Sequence, residues 1–194
     1  MALYKVYLCD VLDAIGSARR KDVRSHLQDY FNPIAQGGGF PEGALVDYIT
    51  ATPQPAANEL LIYFMPFSWS IANQMPGTTF VSPLGGHDGL TKFSKGGEAV
   101  SEVYANSADT RVLANLAFHE AMHNKLRLGN DMHQQKGLAS AVVDNAMRPS
   151  EDNVKKMKAA LKTERPQWTG GVGLMLNKAR QKASGDPAWN LTFP

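Results

Sequence analysis

In a chain of 194 residues, the run His119-Glu120-Ala121-Met122-His123 combines the residue types that hold and use a transition metal. Side chains four apart on a helix lie one above the other, so both imidazoles face one point. Zinc accepts neutral imidazole nitrogen at about 2.0–2.1 Å, and a catalytic zinc site has three protein ligands plus one position open to water. Zinc lowers the pKa of that water toward about 7, and Glu120 stands where a carboxylate can take its proton and pass it to a leaving amine. The chain has five histidines, and random placement yields such a pentamer in roughly one sequence in two hundred of this composition. The bland alternative is a pair of core or solvated histidines on a helix.

A third ligand must come from outside the helix. His133 is the candidate, ahead of Asp131, His87 and Glu151. From His123 to Gly129 a helix advances about 9 Å, and the four steps to His133 span at most about 13 Å. A reversal at Gly129, a residue free to take positive φ, therefore returns His133 to the ion. Asp131 is a harder oxygen ligand. His87, within Gly85-Gly86-His87-Asp88-Gly89, reads as a rim or surface residue.

The surrounding pattern predicts the elements that position these groups. Ala2 to Val11 reads as a strand, and Ser17 caps a helix to about Phe31 that Pro33 closes. Ala44 to Thr50 and Glu59 to Met65 read as strands, with short strands at Thr79 to Ser82 and Leu90 to Phe93 and another at Glu98 to Ala105. Ser107 or Asp109 caps the helix that carries the histidines, from about Thr110 to Leu128, stopped by Gly129. Ser150 caps a later helix with Glu151 and Asp152 in its first turn, and the tail from Arg165 reads as loop around a short helix at Leu174 to Lys182. Strands and helices in this order predict an α/β (α+β) fold with a mixed twisted sheet, in one domain spanning 1–194: a sheet-rich part to residue 105, then the catalytic and C-terminal helices.

Composition narrows the function. A net charge of +2 is far from the clustered basic stripe of a nucleic-acid binder. Arg19, Arg20, Lys21 and Arg24 read as a solvated helix face, and Gly37-Gly38-Gly39 lacks the Lys-Ser/Thr ending of a phosphate cradle. No apolar stretch reaches the ~20 residues of a membrane span. Lys5, Asp10 and Asp13 interrupt the apolar run that a secretory signal needs, which leaves the location open between the cytoplasm and export by a signal-independent route. The single cysteine, Cys9, can form neither an intramolecular disulfide nor a thiolate metal site.

At His119, Glu120, His123, Gly129 and His133 the chain resembles the metzincin clan of zinc metallopeptidases, whose motif is H-E-x-x-H-x-x-G-x-x-H followed by a methionine turn. Here nine residues separate the second and third histidines where the clan has five, about one added helical turn. Ala146-Met147-Arg148-Pro149 ahead of a capped helix resembles the methionine turn, although Pro149 stands where some members carry a tyrosine. The resemblance implies Met147 beneath the metal, an antiparallel edge strand within 78–94 that pairs with extended substrate, and a protein or peptide substrate. The expected activity is zinc-dependent peptide-bond hydrolysis with Glu120 as general base. A zinc hydrolase of cell-wall or other non-protein amides, and a non-catalytic metal-stabilised binding domain, are the alternatives.

Overall fold

A computed structural model describes residues 2–66, 69–82 and 88–190. Its centre is a five-stranded mixed sheet, β1 (Tyr4–Cys9), β2 (Ala44–Tyr48), β3 (Leu60–Met65), β4 (Gly89–Phe93) and β5 (Ala99–Tyr104), in the order β2-β1-β3-β5-β4. β1, β2, β3 and β5 run parallel; β4 lies at one edge, antiparallel to β5. β3 reads Leu-Leu-Ile-Tyr-Phe-Met and is buried along its whole length. An unbroken apolar run suits a parallel strand covered on both faces.

Strand alternation divides the core in two. Val6, Leu8, Val46, Ile62, Phe64 and Val103 meet the helices α1 (Ser17–Gly37), α2 (Thr110–Leu126) and α3 (Glu151–Ala160). On the opposite face Leu61, Tyr63, Met65 and Tyr104 pack against α4 (Gly170–Ala183) and the segment holding Trp69, Ile71 and Met75. The fold is thus mixed α/β, with the histidine helix α2 laid across β5 and β4. Among the described residues no helix is long and apolar enough to cross a membrane.

Several local expectations are corrected. α1 starts with Ser17 as its first residue, behind Gly16, and no side chain caps it. Pro33 lies inside α1 rather than closing it, and the helix continues to Gly37. An interior proline costs about 3 kcal/mol, which the complete burial of Phe31, Ile34 and Ala35 around it offsets. Residues 79–82 form no strand. α4 begins at Gly170, ahead of the expected Leu174. Its glycines permit that: a Cβ at Gly171 would stand 2.7 Å from Ile71 and 3.0 Å from the Tyr63 hydroxyl, so their absence lets α4 seat closely on the sheet.

Candidate metal and substrate cleft

α2 is anchored at its start by Asp109, whose Oδ1 accepts from the amides of Arg111 (2.8 Å) and Val112 (3.2 Å), satisfying donors the first helical turn leaves unpaired. Leu113, Leu116 and Ala117 fix the helix on the core. The next turn carries His119, Glu120 and His123 on the side facing β4.

The left-handed residue that ends α2 is Arg127 (φ 52), and Gly129 has φ −82, so the reversal expected at Gly129 takes place two residues earlier. A short 3-10 turn over Asn130–Gln134 follows. Its buried Met132 anchors it, and His133 swings back to the helix. The Nε2 atoms of the three histidines are 3.0 Å (His119–His123), 3.1 Å (His123–His133) and 3.3 Å (His119–His133) apart. Asp131 is exposed and outside this cluster, and Glu151 lies at the start of α3. His87 falls outside the described residues.

The rings are oriented by backbone carbonyls. His119 Nδ1 lies 2.7 Å from Leu138 O and His123 Nδ1 lies 2.6 Å from Leu128 O. A carbonyl only accepts, so each Nδ1 carries the proton and each Nε2 presents its lone pair. Burial pushes the His119 pKa down to about 4, against the Leu138 carbonyl and with the help of the other two rings. Burial likewise lowers that of His123. Imidazoles that stay neutral and aim lone pairs at one point suit a cation. Nitrogens at about 2.0–2.1 Å from a tetrahedral ion would stand about 3.3 Å from each other, close to the separations seen. The donor set therefore fits zinc.

The loop that carries the Leu138 carbonyl is itself held. Asn153 Oδ1 accepts from Leu138 N (2.9 Å), and its Nδ2 donates to Lys136 O (3.1 Å). Asn153 also completes the capping box of α3 with Ser150. Gly137 makes this docking possible, since a Cβ there would meet Asn153 Oδ1 at 2.5 Å and its φ is +69°. Asn153, the partner of Ser150 in the capping box, thus also holds the loop whose Leu138 carbonyl orients His119.

Glu120 is 4% exposed. Its Oε2 accepts from Thr91 Oγ1 at 2.8 Å. Burial pushes its pKa up to about 8, the Thr91 hydroxyl opposes this, and the charge of Glu102 adds to it. A Cβ at Gly89 would lie 2.5 Å from Glu120 Oε1, so glycine there is what admits the carboxylate beside β4. Neither Thr91 nor Gly89 was among the residues expected to matter; both are 29 or more positions away in sequence, and no local pattern announces them.

These groups line a cleft of about 450 Å³ with Asp88, Leu90, Phe93, Leu116, Arg127 and Val143. Asp88 O accepts from Tyr104 N (3.0 Å) and Ser94 N donates to Glu98 O (2.9 Å). Antiparallel pairing alternates, so in the register of β4 with β5 the backbone groups of Gly89, Thr91 and Phe93 point away from β5. Met147 is half-buried against the main core. Its carbonyl accepts from Asn115 Nδ2 (3.2 Å), one helical turn before His119. Compared with protein families, with curated proteins and with solved structures, the chain matches none.

Proposed function

We propose that the chain is a zinc-dependent peptidase in which His119, His123 and His133 hold the ion and Glu120 is the general base. The convergence of three Nε2 atoms within 3.3 Å, beside a buried carboxylate in an open cleft, carries this reading. When bound, zinc supplies the Lewis acidity that activates water and polarises the scissile carbonyl. The chain's residues do the remainder. The backbone carbonyls of Leu138 and Leu128 keep the ligand nitrogens of His119 and His123 aimed inward. Glu120, with a raised proton affinity, takes the proton from attacking water and delivers it to the leaving amine. Thr91 Oγ1 holds one oxygen of Glu120, which keeps the carboxylate beside the triad.

The outward backbone groups of Gly89, Thr91 and Phe93 are suited to pair with an extended peptide. That favours a protein or peptide substrate over other amides, whose hydrolysis would need the same chemistry without a sheet edge. The antiparallel edge strand within 78–94, and Met147 ahead of a capped helix, agree with a metzincin-like arrangement. A purely structural metal site is normally closed by a fourth protein ligand; among the described residues the cluster has three.

Metal analysis tests the reading directly. The purified protein is expected to hold about one zinc per chain, lost on chelation and in His119→Ala or His123→Ala. His133→Ala should weaken binding and Asp131→Ala should not. Failure to take up any transition metal would overturn the proposal, as would zinc uptake with no cleavage of an unbiased peptide library.

A further inference from the structure

One end of the cleft is distinguished by charge. Arg127 follows His123 by four residues and is the first residue beyond α2, so its Cα stands about 6 Å further along the helix axis. It lines the cleft with Phe93, and its guanidinium lies over the Phe93 ring at 5.4 Å from the centroid. Its hydrogen bond to Gly97 O is long, at 3.4 Å. The residue is exposed, and its backbone is left-handed with φ 52 and ψ 32. Glycine or asparagine is the less strained choice for that conformation, so the local backbone gives no reason for arginine.

Charge balance gives none either. Arg165 is near enough that its pKa is lowered by burial and then by Arg127, and its Nε is buried without a partner. Among the described residues neither arginine has a carboxylate at ion-pair distance. The result is a guanidinium without a carboxylate partner, near a second arginine, in a cleft whose Leu116 and Val143 walls are apolar. A guanidinium held over an aromatic ring without a carboxylate partner has N–H groups left for bidentate contact with a substrate carboxylate.

We propose that Arg127 is a specificity-determining residue that binds a substrate carboxylate, from an acidic side chain or a free C-terminus, about two residues from the bond cleaved. The spacing follows from the distance to His123, since an extended strand rises about 3.3 Å per residue. The direction of the paired strand decides on which side of the scissile bond the carboxylate falls. This inference rests on the peptidase reading of the cleft.

The test uses the zinc-loaded full chain carrying Glu120→Gln, so that peptide is bound without being consumed. Labelled peptides of one sequence, with Glu or Gln scanned along them and with acid or amide C-termini, are titrated by fluorescence anisotropy. A carboxylate at one position is expected to tighten binding about tenfold, an advantage that shrinks as salt rises. The scanned Glu and the free-acid peptides separate the two sources. Adding Arg127→Gly should bring the acid-to-neutral affinity ratio close to one while the thermal midpoint holds or rises, because glycine suits the left-handed position. Arg127→Lys should retain part of the preference. Neutral and acidic peptides binding alike, or a preference that survives Arg127→Gly, overturns the inference and leaves the peptidase reading standing. No binding by any peptide overturns both.

Discussion

Two buried glutamates lie on opposite faces of the sheet beside β5, and they are equipped differently. Glu102, on β5, is fully buried and accepts from Ser70 Oγ (2.6 Å), Tyr104 OH (2.6 Å) and the amide of Ala72 (2.9 Å). Glu120, on α2, is almost as buried but accepts from the Thr91 hydroxyl through Oε2, with no donor to Oε1 among the described residues. Burial raises the pKa of both. Around Glu102, four donors oppose that rise; around Glu120, one does. A carboxylate saturated with donors ties a loop to a sheet, whereas one with a spare oxygen at a cleft has lone pairs left for a reactant.

The sharpest way to break this comparison is to neutralise each glutamate in turn. Glu120→Gln should keep zinc and fold yet lose about 10³-fold or more in peptide turnover, since the amide cannot take a proton. Glu102→Gln preserves shape and most of its bonds, so turnover should stay within about threefold of wild type, well short of what losing a general base costs. Steady-state assays with metal content measured alongside decide the matter. Equal losses in both variants would erase the distinction between reagent and tie.

Stability should show the reverse ranking. Glu102→Ala removes the acceptor of Ser70 Oγ and of the Ala72 amide inside the second core, and a buried donor left unpaired costs about 1–3 kcal/mol. Some relax by rotation, so urea unfolding is expected to show a loss of about 3 kcal/mol overall. A loss below about 0.5 kcal/mol, the range of ordinary surface substitutions, would show that the donors around Glu102 do not hold the 69–75 segment.

The contrast also bears on what a sequence can disclose. The histidine pair and Glu120 are legible because a helix converts a spacing of four into proximity, and that step needs nothing from the rest of the chain. The strands of the parallel sheet are legible for a similar reason: runs such as Leu60–Met65 have little choice but burial. His133 was reachable by counting residues against reach, although the reversal falls at Arg127, where a tertiary contact with Phe93 accompanies a backbone conformation that propensity assigns to glycine. Gly89, Thr91 and Asn153 were not legible, since each acts through an element distant in sequence. Pro33 misled because its local penalty is outweighed by burial that only the assembled core supplies. Met147 was singled out by chain order and its likeness to a methionine turn; its backbone is held by Asn115 Nδ2 at its carbonyl and by Asp144 Oδ1 at its amide.

The smallest effect separates the two glutamates by their protons. In the metal-free protein the Glu120 pKa is raised from 4.5 to about 8. The folded state then holds this proton more tightly than the unfolded state, so stability falls as pH rises through that interval and the loss is complete only above about 8. His119 works in the opposite sense: its pKa is depressed from 6.5 to about 4, so its burial costs stability as pH falls below 6.5 and nothing above it. Between pH 6.5 and about 8, therefore, Glu120 is the group of the pair still losing its proton. Glutamine has no proton to lose. Glu102 is present in wild type and Glu120→Gln alike, so its own raised pKa cancels in their difference. Over that interval the metal-free wild type should fall about 5 °C in thermal midpoint relative to Glu120→Gln, taking roughly 2 kcal/mol and 2–4 °C per kcal/mol for a chain of this size. Parallel melting curves across the same interval would place the Glu120 carboxylate in water, and with it would go the claim that burial has prepared this glutamate as a base.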